Sequence, residues 1–201
     1  MKQPAAKVMA PKRAAARLPG EVRIIGGQWK RTRLPVADVK GLRPTPDRVR
    51  ETLFNWLGQD LTGWRCVDVF AGTGALGFEA ASRGAGAVSM FESDAALVTQ
   101  LGKLQTKLKA DAVHITRGDG VGMLARMPPG AVDLVFLDPP FDTKFYEAGL
   151  IAAARALTAE GRIYLEAPEQ WTEERLSTFG LTAYRYLKAG AVHAHLLCRA
   201  A

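Results

Sequence analysis

The sequence predicts an α/β fold built on a mostly parallel sheet, and three observations lead to this prediction. From residue 64 onward, short apolar runs alternate with helical stretches, which is typical of a parallel sheet covered by helices on both faces. Only three residues separate the last two strand-like segments, so these two must pair antiparallel. A length of 201 residues, with 48% hydrophobic and 23% charged residues, is typical of one globular domain with a small appendage.

The main domain is predicted to span residues 61–201. Its five parallel strands are predicted at residues 65–70, 87–92, 112–116, 134–138 and 162–166. Helices at residues 76–82, 95–109, 120–127, 146–157 and 170–179 alternate with these strands. Segments 181–187 and 191–199 then form an antiparallel hairpin, which completes a central seven-stranded, mostly parallel sheet with an antiparallel C-terminal strand.

The first 60 residues are predicted to form an extension of this domain. Residues 1–21, rich in Ala, Pro and Lys, are predicted to be a disordered basic tail. Residues 22–60 contain a small N-terminal β-hairpin, with Gly26 and Gly27 in its turn and a second strand at residues 29–36, followed by an amphipathic helix. Thr45 is predicted to cap this helix, with Pro46 in its first position and Gly58 near its end.

Positive charge is concentrated at this end of the chain. Residues 1–50 contain 13 Lys or Arg against three acidic residues, a net charge of +10, whereas residues 51–201 carry −3. Basic segments bind polyanions, most simply nucleic acid, because Lys and Arg displace condensed counterions from phosphates. The alternatives are a solubilising tail and, for residues 1–20, a transit peptide.

Composition also excludes several classes of protein. No apolar run reaches the ~18 residues that a membrane-spanning helix needs, so we expect no membrane association. Cys66 and Cys198 are too few for a disulfide framework and no secretory segment is apparent, which predicts a cytoplasmic protein with two buried, inert thiols. His193 and His195 share one face of a strand without a third ligand at metal spacing, so we predict no metal.

The first motif that bears on chemistry is DVFAGTGALG at residues 68–77, a strand that runs into a glycine-rich turn and a helix. Gly72 and Gly74 permit a tight turn and close approach of a ligand to the backbone, and Gly77 lets the helix pack closely on the strand. Glu92 lies 20 residues after Gly72 at the end of the next predicted strand. There its carboxylate can accept hydrogen bonds from both hydroxyls of a ribose.

This spacing alone equals that of a dinucleotide-binding fingerprint, so a nicotinamide-dependent dehydrogenase must be considered. Asp68 disfavours that function, because a carboxylate at the strand tip would repel a pyrophosphate. The same negative charge favours a ligand that carries an ammonium and a sulfonium group, as S-adenosylmethionine does.

The second motif is FLDPPF at residues 136–141, which places polar and aromatic groups at the carboxyl end of an apolar strand. Open α/β sheets bind their ligands at this edge. The two prolines restrict the backbone, so the Asp138 carboxylate and the Pro139 carbonyl are held as a pair of acceptors. This pair suits an exocyclic amine of a nucleobase, and Phe141 offers a face on which the base can stack. The alternative is a rigid loop with a capping residue.

A third, weaker motif is RGDG at residues 117–120, after the strand predicted at 112–116. From this position the Asp119 carboxylate can accept a hydrogen bond from an adenine amino group. A plain helix N-cap explains Asp119 almost as well.

These motifs, in this order, resemble those of the class I S-adenosylmethionine-dependent methyltransferases that act on amino groups. RIIGGQWK at residues 23–30 and LRPTPDRVRETLFNWL at residues 42–57 are similar, in addition, to a bacterial family that methylates guanine N2 in small-subunit ribosomal RNA. The resemblance covers the chain from Arg23 to its C-terminus. It implies a Rossmann-like fold, S-adenosylmethionine as the cofactor, and ribosomal RNA or the assembling small ribosomal subunit as the partner.

The resemblance also implies roles for individual residues. The cofactor is expected to contact Asp68, Phe70, Ala71, Gly72, Gly74, Glu92, Ser93, Asp119 and Gly120. The target base is expected to contact the catalytic residues Asp138, Pro139, Pro140 and Phe141. The basic extension, whose segment around residue 43 borders the cofactor pocket, is expected to contact RNA through Arg23, Trp29, Lys30, Arg31, Arg33, Arg43 and Arg48.

In the expected mechanism the methyl group passes directly to the base, without a metal ion or a covalent enzyme intermediate. An ionised Asp138 can bridge N2–H and N1–H of guanine, whereas adenine has a bare acceptor at N1 that the carboxylate would repel. Two methyltransferases share both main motifs and remain alternatives, one acting on adenine N6 of nucleic acid and one on glutamine N5 of protein. A non-catalytic RNA-binding scaffold is the third alternative.

Overall fold

The computed structural model describes residues 20–36, 45–140 and 144–200. Its strands are β1 (Glu21–Arg23), β2 (Arg33–Pro35), β3 (Arg65–Asp68), β4 (Ala87–Glu92), β5 (Val113–Arg117), β6 (Val132–Leu137), β7 (Leu157–Ala167), β8 (Leu181–Ala189) and β9 (Val192–Arg199). Its helices are α1 (Asp47–Trp56), α2 (Ala75–Ser82), α3 (Ala95–Leu108), α4 (Gly120–Arg126), α5 (Lys144–Ala156) and α6 (Glu173–Ser177). Residues 1–19 of the predicted tail, Arg43 and Phe141 lie outside the described residues.

The predicted seven-stranded sheet is confirmed, in the order β5-β4-β3-β6-β7-β9-β8. Strands β3 to β7 pair in parallel, and β9, the C-terminal strand, pairs antiparallel with both β7 and β8. Strands β4 and β5 are added in turn on one side of β3, and β6 is then added on the other side of β3. A ligand crevice is expected at this switch point, outside the carboxyl ends of β3 and β6.

Helices cover both faces of the sheet, and alternate strand residues enter two separate cores. Cys66 belongs to the core on the side of α1, α2 and α3, whereas its neighbour Val67 belongs to the core on the side of α4, α5 and α6. Gly77 lies where a Cβ atom would come within 2.8 Å of the Met90 sulfur. This confirms that a glycine allows α2 to pack closely on the sheet. Within the described ranges, no helix is both long and apolar enough to cross a membrane.

The N-terminal extension is fastened to the main domain by a buried ionic network. The Glu79 carboxylate on α2 accepts hydrogen bonds from the backbone N–H groups of Ile25 (2.7 Å) and Gly26 (2.8 Å). It also pairs with the guanidinium groups of Arg50 on α1 (3.5 Å) and Arg83 (2.8 Å). The side chains of Glu79 and Arg50 are completely buried. Because a buried charge is tolerated only when it is paired, this network holds the hairpin and α1 against α2.

Three local predictions in the extension and near the C-terminus are wrong. Thr45 does not cap α1: Pro46 occupies the N-cap position without a side-chain cap, and the Thr45 hydroxyl contacts Asp138 instead. The second hairpin strand is only Arg33–Pro35, because the preceding residues turn tightly, with Gly27 and Arg31 at positive φ. The helix predicted at 170–179 is reduced to α6.

Candidate active site

The glycine-rich turn follows β3 at the switch point of the sheet. Gly72 and Gly74 have φ values of +52° and +80°, in the left-handed region that favours glycine. The turn is closed by a hydrogen bond of 2.7 Å from the Gly74 N–H to the Ala71 carbonyl. Gly74 is also the N-cap of α2. The backbone of this turn therefore lies at the carboxyl edge of the sheet, between β3 and α2.

Asp68, the last residue of β3, is buried below this turn with 2% of its surface exposed. Its carboxylate accepts a hydrogen bond of 3.0 Å from the Gly77 N–H. Burial raises the pKa of Asp68 to about 7, the Gly77 hydrogen bond opposes this shift, and the charge of Glu92 adds to it. A cation bound beside Asp68 would stabilise its ionised form and so lower this pKa again.

Glu92 ends the neighbouring strand β4 and reaches the same turn. One carboxylate oxygen accepts from the Gly72 N–H at 2.9 Å, and the other accepts from the Asp94 N–H at 2.9 Å and the Ser93 hydroxyl at 3.4 Å. A carboxylate offers about four lone-pair positions, so Glu92, with three donors, has about one position left for a further donor. Glu92 thus fixes the glycine turn and presents acceptor capacity at the edge of the crevice. Phe70, two residues after the end of β3, makes an edge-on contact with Phe145 at a ring-centroid distance of 5.6 Å.

Asp119 has the capping role that the sequence left as an alternative. Its carboxylate accepts from the Val121 N–H at 3.1 Å and caps α4. Gly120 is buried against the end of β3, where a Cβ atom would lie 2.0 Å from the Val69 carbonyl oxygen. Asp119 and Gly120 therefore place the start of α4 close to the glycine turn. A contact between Asp119 and adenine stays a prediction.

Asp138 and Pro139 follow β6 directly, beside the end of β3. Part of Asp138 remains in contact with solvent, but protein surrounds most of its carboxylate. Burial raises its pKa well above the usual value, and the negative charges of Glu166 and Asp68 raise it further. The Thr45 hydroxyl donates to the Oδ2 atom of Asp138 at 3.4 Å, and this hydrogen bond lowers the pKa of Asp138.

Sequence reasoning missed three residues around Asp138. Glu166 lies near the end of the neighbouring strand β7, and the Tyr164 hydroxyl donates to its Oε2 atom at 2.9 Å. Thr45 reaches Asp138 from the residue before the α1 N-cap. The signal for Glu166 in the sequence is weak, because β7 also carries Glu160 and Arg162. The partners of Asp138 become evident only from strand register and helix packing.

The candidate RNA-binding residues are spread over the surface of the extension. Lys30, Arg31 and Arg48 are exposed. Arg33 pairs with Glu21 at 2.8 Å, and Arg23 pairs with Asp47 at 3.7 Å, both in exposed ion pairs. Exposed ion pairs contribute only ~0–1 kcal/mol to the free energy of unfolding, so an RNA phosphate can replace the acidic partner with little loss of stability.

Trp29 and His195 are both packed into the fold rather than fully exposed. Trp29 is half-buried against the hydrophobic core, which leaves only part of its ring for a base. His195 is buried, accepts from the Trp171 N–H at 3.1 Å, and has a pKa lowered to about 4 by burial. Cys66 is buried as predicted, but Cys198 is only half-buried, so that part of the prediction is wrong.

Comparison with known proteins identifies the family. Residues 22–198 match the family model described as conserved hypothetical protein 95. The chain is 41% identical over 177 residues to ribosomal RNA small subunit methyltransferase D of Escherichia coli strain K12. This alignment covers 83% of this chain and 89% of that protein. The chain belongs to this family of methyltransferases. The Haemophilus influenzae protein of the same name is 41% identical over 180 residues and covers 83% of this chain and 93% of its own length.

A solved structure supports the same assignment. The Escherichia coli protein YhhF, described as a candidate methyltransferase, has a TM-score of 0.77 and 38% identity to this chain. The alignment covers 90% of this chain and 99% of that one. Family membership makes this chain an enzyme that needs a methyl donor, and it confirms the methyltransferase fold expected from the motifs.

Proposed function

We propose that this protein transfers a methyl group from S-adenosylmethionine to the exocyclic N2 of a guanine in small-subunit ribosomal RNA. The observation that carries the proposal is the juxtaposition of two acidic strand ends. Asp68 with its glycine turn ends β3, and Asp138 with Pro139 follows β6, the strand paired directly with β3. Because the two strand ends are neighbours, we infer that the cofactor and the amine bind side by side at this edge of the sheet.

The residues at the β3 end suit S-adenosylmethionine. When bound, this cofactor supplies an electrophilic methyl group on a sulfonium. The buried Asp68 carboxylate attracts its positive charges, and the remaining lone-pair position of Glu92 can accept from a ribose hydroxyl. The left-handed Gly72 and Gly74 let the backbone approach the ligand closely. We assign further contacts to Phe70, Ala71, Ser93, Asp119 and Gly120.

The residues after β6 bind and orient the target base. The Asp138 carboxylate and the Pro139 carbonyl accept hydrogen bonds from the N2 amino group, Pro140 restricts the loop, and the Phe141 ring stacks on the base. Holding the amine in line with the methyl group supplies most of the catalysis, since such positioning is worth ~7–11 kcal/mol in favourable cases. Asp138 then takes up the proton that N2 loses when its bond to the methyl carbon forms.

The extension holds the RNA while one base is turned out into the crevice. We assign phosphate contacts to Arg23, Lys30, Arg31, Arg33, Arg43 and Arg48, and a partial stacking contact to Trp29. The names of the relatives support ribosomal RNA as the substrate. We place the reaction in the cytoplasm, on naked RNA or on the assembling small subunit.

The test is to incubate the protein with methyl-labelled S-adenosylmethionine and unmodified small-subunit ribosomal RNA or partly assembled particles, and then to identify the labelled nucleoside. We expect N2-methylguanosine. Label in N6-methyladenosine or in protein glutamine would support one of the alternative methyltransferases. RNA binding with neither label transfer nor a thermal shift on adding the cofactor would indicate a scaffold.

A further inference from the structure

A second carboxylate, that of Glu166, lies beside Asp138. Leu137 of β6 pairs with Leu165 of β7, so the next residues along the two parallel strands, Asp138 and Glu166, are neighbours at the carboxyl edge. Only 7% of the Glu166 surface is exposed. Its Oε2 atom accepts from the Tyr164 hydroxyl at 2.9 Å.

Placing two carboxylates together in a protein interior is unfavourable. Burial alone disfavours the charged form, and a like charge nearby disfavours it further. The rise in the pKa of Asp138 reflects both effects, with burial the larger and Glu166 the next. An apolar residue at the end of a buried strand would serve stability better, so unfavourable pairs of this kind are concentrated at functional sites.

Tyr146 provides an independent observation close to the Asp-Pro-Pro loop. It lies in the first turn of α5, which follows the Asp-Pro-Pro loop, and only 3% of its surface is exposed. Its hydroxyl is buried without a hydrogen-bond partner among the described residues. Burial, followed by the charges of Asp138 and Glu166, raises its pKa to about 12, so it remains a donor at neutral pH. A buried donor left unpaired is costly, and such groups are rare in folded proteins, so the Tyr146 hydroxyl is a candidate donor to a bound ligand.

The hydrogen-bonding edge of guanine complements these groups. Guanine presents the N2 amino donor, the N1–H donor and the O6 acceptor in a row, whereas adenine presents an amino donor and a bare N1 acceptor. We propose that Glu166 and Tyr146 are guanine-specificity residues: the Glu166 carboxylate accepts from N1–H and the Tyr146 hydroxyl donates to O6, while Asp138 and the Pro139 carbonyl accept from N2. This inference rests on the proposed function and refines it, since Asp138 then need not bridge N1 and N2 alone.

The experiment compares guanine with 2-aminopurine at the nucleotide that labelled-methyl mapping identifies. 2-Aminopurine keeps the reacting N2 amine but lacks N1–H and O6. We expect the wild-type protein to favour guanine in kcat/KM by ~10–100-fold, as a hydrogen bond to a charged group would produce. In Glu166→Gln the amide can donate to the bare N1 of 2-aminopurine, so the preference should fall at least tenfold. Tyr146→Phe should also reduce the preference for guanine over 2-aminopurine.

Control variants separate specificity from folding. Glu160→Gln changes an exposed glutamate at the other end of β7, and Tyr184→Phe changes an exposed tyrosine on β8, so both should keep the wild-type preference. Glu166→Gln should also move the acidic limb of the pH–rate profile to lower pH, because Glu166 raises the pKa of Asp138. An unchanged preference in Glu166→Gln and Tyr146→Phe would overturn this inference alone. A wild-type protein that labels no guanine N2 would overturn the proposed function itself.

Discussion

Two acidic centres of this protein, at Glu79 and Asp138, are built in opposite ways. Glu79, between the extension and α2, is completely buried and is satisfied by two guanidinium groups and two backbone N–H donors. Asp138, at the carboxyl edge of β6, receives one long hydrogen bond within the described part of the chain, from Thr45, and has the carboxylates of Glu166 and Asp68 as charged neighbours. The first arrangement stabilises the fold, whereas the second keeps acceptors ready for a substrate.

The largest effect is expected at Asp138. Asp138→Ala removes an acceptor for the amine and the group that takes up its proton, so turnover should fall by ~10²–10⁴-fold. Cofactor affinity should stay within about threefold of wild type, because Asp138 does not contact the cofactor in the proposed site. Single-turnover methylation and cofactor titration measure the two quantities separately, and equal turnover in the variant would remove Asp138 from the mechanism.

At Glu79 we expect a loss of stability. Glu79→Ala leaves the buried Arg50 and the nearly buried Arg83 without their carboxylate, which should lower the free energy of unfolding by ~3–5 kcal/mol. Glu169→Ala breaks an exposed ion pair with Arg175 and should cost less than ~1 kcal/mol. Chemical denaturation measures both variants. Similar values for the two would contradict the contrast drawn between the acidic centres.

Asp68 lies between these two extremes, and its titration should be visible in cofactor binding. Because its pKa is raised to about 7, affinity for S-adenosylmethionine should increase as the pH rises from 6 to 8 and the carboxylate ionises. The raised pKa also means that stability contributed by protonated Asp68 is lost as the pH rises from 3.8 to about 7.

Asp68→Asn should flatten both profiles and weaken cofactor binding roughly tenfold at pH 8, equivalent to about 1.4 kcal/mol. Isothermal titration across this pH range tests the expectation. A pH dependence that persists in the variant would assign it to another group.

The smallest expected effect concerns the exposed charges of the extension. Replacing Arg31 and Arg33 together with Gln should reduce the slope of log affinity for RNA against log salt by about 1.4–1.8, because each phosphate contact contributes ~0.7–0.9. The exposed helix residues Lys103 and Arg126 provide a control pair outside the extension. The same slope in the variant and the wild type would mean that these arginines do not contact phosphate.

The sheet and the two main motifs were predictable because they depend on local pattern. Buried parallel strands are apolar runs, and the three-residue link at 188–190 allows only an antiparallel hairpin. Asp68 and Asp138 could be placed at strand ends for the same reason.

Contacts between distant segments could not be predicted from a single sequence. Charge counting places Arg50 with the cations of the basic extension, yet it is completely buried against Glu79, 29 residues away. Thr45 is of a residue type that often caps helices. Pro46 occupies the cap position of α1 instead, and the Thr45 hydroxyl donates to Asp138, 93 residues away. Only the register of β6 and β7 shows that Glu166 lies beside Asp138.

A crystal structure of the protein with the demethylated cofactor product and a guanine-containing RNA fragment tests the central claim most directly. The account predicts the guanine N2 at ~3 Å from both the Asp138 carboxylate and the Pro139 carbonyl, with the cofactor sulfur facing N2 from the glycine turn. A base bound elsewhere, or the adenosine of the cofactor lying against Asp138 in its place, would contradict it.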